Sequence, residues 1–183
     1  MLTTNVRARL ALPIALVLGL AGCVINLNFD IPRSFQIDVP VANGTFSQTF
    51  PVDFSQQAEI QQHKGSIDSL SFESLDLTVT QVNTSLGTNT LTALSGTVSL
   101  RPDGATDASK DVPVGTLTNF PITLNSTVNL KGSPALDAFL LQAVKGTGKF
   151  SIIVTATPAS GNQAHFVLLS TLHAGLGYNT GIF

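Results

Sequence analysis

Apolar and polar residues alternate with a period of two along most of this chain. That pattern restricts it to strands with one buried face and one wet face. Ile25, Leu27, Phe29 and Ile31 alternate with Asn26, Asn28 and Asp30. Phe35, Ile37 and Val39 continue the series beyond Pro32, whose missing N–H suits an edge strand or a bulge. Phe46, Phe50, Val52 and Phe54 share one parity, with Pro51 marking a second irregular edge. The same alternation recurs in Leu75, Leu77 and Val79, in Leu94, Val98 and Leu100, and in Ile122, Leu124, Val128 and Leu130. The wet positions carry Ser, Thr, Asn and Asp rather than Lys and Glu. Charged residues are therefore only 11% of the 183, under half of the usual quarter or so.

Two late segments differ. Phe150 to Ala156 and His165 to Leu172 are apolar at both parities, as in strands covered on both faces, which places them at the centre of a sheet. Ser160-Gly161-Asn162 between them reads as a hairpin turn. One helix is expected over about residues 134–145. Leu136, Phe139, Leu140, Ala143 and Val144 fall on one face, Ser133 caps the start, and Pro134 suits the first helical position. Asp137 lies near the positive end of the dipole, Lys145 near the negative end, and Gly146 supplies the stop. The Gln-rich stretch Ser55 to Lys64 reads as a short exposed helix or a loop. The expected fold is mainly β: an antiparallel β-sandwich of seven to nine strands with one packed α-helix. The alternative is an α+β arrangement, the helix lying on a single curved antiparallel sheet. Nothing divides residues 23–183 into more than one domain, although 24–40 has a second reading as part of a stalk.

The first 22 residues have a different character. Arg7 and Arg9 precede an apolar run from Leu10 to Leu20 that closes in small residues. The run is about a dozen residues, too short for a spanning helix of about 20, and it has the three parts of a signal peptide. Leu20-Ala21-Gly22-Cys23 resembles the lipobox of bacterial lipoproteins. The resemblance implies cleavage before Cys23, the only cysteine, and its acylation with diacylglyceryl and a further acyl chain such as palmitate. The partner it implies is a membrane, reached through the lipid on Cys23. Where sorting depends on the residue after the cysteine, Asp favours inner-membrane retention. Val24 accordingly points to the outer membrane of the cell envelope, on its periplasmic or surface side. Cleavage also removes two arginines, leaving seven basic residues against eleven acidic ones. That balance offers no attraction to nucleic acid.

Residues that carry chemistry are sparse. The histidines are His63, His165 and His173. The last two share a strand parity, but eight residues at ~3.3 Å each separate them by about 26 Å, too far to share a metal. His63 lies in the polar stretch and reads as solvated. Asp103, Asp107 and Asp111 lie in one loop and are a weak calcium candidate, since calcium needs six to eight oxygens. Their spacing does not match an EF-hand, and Pro102-Asp103-Gly104 is also an ordinary turn signature. Glu73 and Asp76 read as surface charges at a strand edge. No nucleophile elbow, P-loop or dinucleotide fingerprint is present, so no cofactor and no catalytic residue is expected.

These readings point to a non-catalytic, lipid-anchored envelope protein acting through protein–protein contact as a structural or accessory subunit. The alternative is a carrier or chaperone for a lipid or other apolar ligand, bound by Leu136, Phe139, Leu140, Val144, Phe150 and Phe166.

Overall fold

The computed structural model describes residues 24–39, 45–83, 87–158 and 162–179. The expected signal segment, Cys23 and the Ser160-Gly161 part of the expected hairpin lie outside the described residues. Among the described residues eight strands form: β1 (Val24–Val39), β2 (Phe46–Asp53), β3 (Ile67–Val82), β4 (Ala93–Pro102), β5 (Val112–Pro121), β6 (Thr127–Lys131), β7 (Lys149–Ala156) and β8 (Ala164–Asn179). A short helix α1 (Ala58–His63) joins β2 to β3, and α2 (Pro134–Lys145) joins β6 to β7.

The strands form two four-stranded sheets, ordered β1-β8-β3-β6 and β2-β7-β4-β5, with every pairing antiparallel. The chain crosses repeatedly between the sheets and its first and last strands lie side by side. This is the double Greek key of a jelly roll. The expected sandwich with one packed helix is the fold observed, and the single curved sheet is replaced by two.

The inward parity of each strand fills the space between the sheets. Ile31, Ile37, Leu75, Leu77, Val98, Leu100 and Phe166 are all essentially fully buried. At one end the core is aromatic. Phe54 meets Phe29 edge-on at 6.5 Å and Phe150 at 4.9 Å, and Phe139 of α2 meets Phe150 at 5.7 Å. Further along, Phe35 stacks on Phe50 at 4.3 Å. Pro32 and Pro51 lie in β1 and β2, which are edge strands, as their missing donors require.

Four expectations are corrected. β7 and β8 are each central, but in different sheets, so they are not a hairpin. Their double-apolar sequences mark interior strands of two sheets rather than neighbours in one. Residues 122–130 are not a single strand: Asn125 adopts φ 66° in a turn that leaves Leu124 61% exposed. β5 and the first half of β3 were not expected, because bulges between Leu94 and Gly96, Val98 and Ser99, and Phe72 and Ser74 break the period-two pattern there. Finally, β1 is paired with β8 along its whole length, from Val24 opposite Asn179 to Val39 opposite Ala164, which leaves no stalk within 24–39.

Candidate functional surfaces

The outward face of the β1-β8-β3-β6 sheet carries a cluster of ionisable side chains that includes both strand histidines. Alternation places Asp30, His173, Asp76 and Asn129 on four neighbouring strands. Register sets Asp30 opposite His173 and Asp76 opposite Asn129, and Asp76 reaches His173 diagonally, because the residue directly opposite His173 on β3 is Ser74. His173 Nδ1 lies 2.7 Å from Asp30 Oδ1 and its Nε2 lies 3.3 Å from Asp76 Oδ2. Asn129 donates to the other oxygen of Asp76. Partial burial alone would lower the His173 pKa. The hydrogen bond and charge of Asp30, followed by those of Asp76, outweigh it and raise the pKa above the ordinary imidazole value. With both ring nitrogens donating to carboxylates, the imidazolium form has no lone pair for a metal or for a general base's proton. The row is a cross-strand ionic tie.

Two elements of the sequence reading change here. Glu73 lies just beyond the last pair with β6, whereas at Asp76 β3 is interior, between β8 and β6, so Asp76 is not at a sheet edge and has two partners. Its pairing was hidden because His173 lies 97 residues away in sequence. His165 occupies the far end of the same face, with Nδ1 3.0 Å from Asp38 Oδ1, and unbroken β8 keeps the two histidines apart. His63 is not simply solvated: its ring stacks on Tyr178 at 3.7 Å.

Next to the His173 row, Gly175 and Gly177 form a floor with no side chains. Ser71 and Asn28 close over Gly175, and Ser69 and Asn26 over Gly177, so a Cβ at either glycine would strike a serine hydroxyl. Neighbouring side chains already occupy this trench.

The three aspartates of the calcium candidate do not converge. Asp111 receives a two-pronged ion pair from Arg101, Nε to Oδ1 at 2.6 Å and Nη2 to Oδ2 at 2.8 Å. Asp107 caps a 3₁₀ turn at Ala108–Lys110 by accepting from the Ser109 amide at 2.8 Å, and that bond holds its carboxyl below the usual range. Asp103 faces a cleft of about 300 Å³ shared with Arg33, Asp53 and Lys149, where two cations meet two carboxylates. No three His, Cys, Asp or Glu side chains among the described residues are grouped to hold a metal ion.

The apolar carrier candidates divide into two groups. Leu136, Phe139, Leu140, Val144 and Phe150 pack together where α2 meets the sandwich, each 7% exposed or less. Phe166 lies elsewhere. It is opposite Ile37 and Val82, eight residues along β8 from Ala174, which faces Phe29 and Phe72. That is about 26 Å away at ~3.3 Å per residue. An open groove beside α2, about 220 Å³, touches only Phe139 of the six. These side chains fill the core.

The β2-β7-β4-β5 sheet has a different outer face. Ser47, Thr155, Thr97 and Thr116 stand opposite one another across all four strands. Ser47 and Thr155 share a hydrogen bond of 3.1 Å, and Thr45 and Thr157 one of 2.8 Å. A broad, open recess of about 500 Å³ lies over this uncharged hydroxyl surface. The abundance of Ser and Thr at outward parity signalled such a surface, but only register assembles it into rows.

The topology defines the class as a jelly-roll β-sandwich. No protein-family profile matches the chain, and no curated protein matches it. Among solved structures, it is similar to a decameric BFDV capsid protein at 12% identity and TM-score 0.48, over 83% of this chain and 99% of that one. It is also similar to turnip yellow mosaic virus (14% identity, TM-score 0.30, 99% of this chain and 92% of that one). A third likeness is to Desmodium yellow mottle tymovirus (12%, 0.33, 100% and 94%).

Proposed function

We propose that this chain is an acylated lipoprotein of a bacterial cell envelope, whose jelly roll acts as a non-catalytic structural or accessory subunit through protein contact. One observation carries the reading: Leu20-Ala21-Gly22-Cys23 runs directly into a domain that is strand-paired from Val24 onward. Acyl chains on Cys23 hold the domain at a membrane, at ~0.8 kcal/mol per buried CH₂, and stable anchoring takes more than one chain. Val24 at the sorting position favours the outer membrane. The histidines His165 and His173 are engaged by carboxylates, which supports a scaffold rather than a catalyst. The hydroxyl face around Thr97 and Thr155 is the surface offered to a partner. It carries no net charge to desolvate, and its hydroxyls both donate and accept.

The test combines anchoring with contact. Labelled palmitate should enter the wild-type protein, and Cys23→Ser should abolish labelling and release the domain from the membrane fraction. A photo-crosslinker at Thr97 should trap one defined envelope protein, while the same group at Asn129 should not. Absence of label, with unchanged fractionation of Cys23→Ser, would overturn the anchor. Absence of any crosslink from the hydroxyl face in intact cells would overturn the subunit role.

A further inference from the structure

We infer that the jelly roll stands on the bilayer by one end of its larger sheet, with Val24 and Ile25 against the lipid, instead of hanging from a flexible tether. This inference rests on the lipoprotein reading. β1 is hydrogen-bonded from its first described residue, Val24 opposite Asn179 and Ile25 opposite Tyr178. One peptide bond separates Val24 from Cys23, and consecutive Cα atoms are about 3.8 Å apart. No linker remains to lift the domain away from an acylated Cys23.

Among the described residues, two of the three exposed large hydrophobic side chains, Val24 and Ile25, lie at the end nearest Cys23. Phe29 meets Phe54, the residue just past the end of β2, so residues 24–28 of β1 run on beyond the second sheet. Ile25 and Leu27 continue the inward series Phe29, Ile31 and Phe35, but without an opposing strand to cover them. Ile25 is 38% exposed, Leu27 is only partly buried, and Val24 is 57% exposed. Among the described residues the other exposed large hydrophobic side chain is Leu124. It lies in the turn that pairs with Val79, near the opposite end of β3. The turn after α1 joins the Cys23 end through the Asn179 amide bonded to the Ser66 carbonyl, which brings exposed Lys64 alongside, within reach of lipid phosphates. Exposed apolar side chains next to acyl chains add buried area to the anchor and fix its orientation.

The experiment uses the full acylated protein in vesicles of phosphatidylethanolamine and phosphatidylglycerol, with or without brominated acyl chains. Acylation consumes Cys23, so an introduced cysteine is the only free thiol. An environment-sensitive fluorophore is attached at Lys64→Cys or at Leu124→Cys, and intact mass reports acylation of each sample. Bromine should quench the residue 64 label several-fold more than the residue 124 label, and adding Val24→Ser with Ile25→Ser should weaken that difference. Acylated protein with equally weak quenching at both ends would overturn the standing orientation while leaving the lipoprotein reading intact. A mass without acyl chains would overturn both.

Discussion

His173 and Gly132 show what single residues contribute to this fold. His173 gains two carboxylate partners on folding, and its pKa is raised. A raised histidine pKa stabilises the fold fully below the unfolded value of about 6.5, and that contribution is lost as pH climbs through the folded value. Thermal unfolding should therefore show wild type losing part of its advantage over His173→Gln as pH rises above about 6.5. A wild-type-to-variant difference independent of pH would show that the Asp30–His173–Asp76 tie carries no proton linkage. Gly132 is constrained by space. A Cβ there would run into the Phe72 carbonyl, a backbone atom that cannot swing aside, whereas Gly175 and Gly177 face serine side chains that can. Gly132→Ala should thus cost about 2–3 kcal/mol in urea unfolding, within the range for overpacking, and Gly175→Ala clearly less. Equal losses would mean that the backbone around Phe72 yields. Neither effect is legible from the sequence, because each depends on a neighbour more than 50 residues away.

At the scale of elements, α2 was the most legible feature. Ser133 caps it with its side chain accepting from the Leu136 amide, Pro134 opens it, and Leu136, Phe139, Leu140 and Val144 are its buried face. These are local facts of spacing and capping. Asp137 has a second function that the sequence did not reveal. β6 stops at Lys131 opposite Ser74, and beyond that point the open edge of β3 is met by α2, where Asp137 Oδ1 accepts from the Phe72 amide at 2.7 Å. The carboxylate thus serves both the helix dipole and an otherwise unpaired strand donor. Asp137→Ala should destabilise by about 2 kcal/mol in a urea titration, the scale of a hydrogen bond to a charged group, and Asp137→Asn by less. Equal destabilisation by the two would assign the effect to charge alone.

For the whole molecule, connectivity governs behaviour. β8 lies between β1 and β3, so residues 24–39 and 164–179 must meet before the larger sheet is complete. Such non-local pairing folds slowly, on the order of milliseconds to seconds. Refolding by dilution from denaturant should be that slow, and equilibrium unfolding should be a single transition seen alike by circular dichroism and tyrosine fluorescence from Tyr178. Two separated transitions would show the sheets to be independent units.

Alternation, the prolines and the helix caps act over a few residues, so the sequence by itself determined a mainly β fold with a β-sandwich as its first reading, irregularities at Pro32 and Pro51, and α2. Leu20-Ala21-Gly22-Cys23, on which the lipoprotein proposal rests, is likewise a contiguous stretch. The separation of β7 and β8 into different sheets, the row through His173, the dispersal of Asp103, Asp107 and Asp111, and the distance of Phe166 from α2 were decided by tertiary structure alone. The physical reason is that register and sheet membership depend on which distant strand supplies the partner for each backbone amide, and a period of two records only which way a side chain faces.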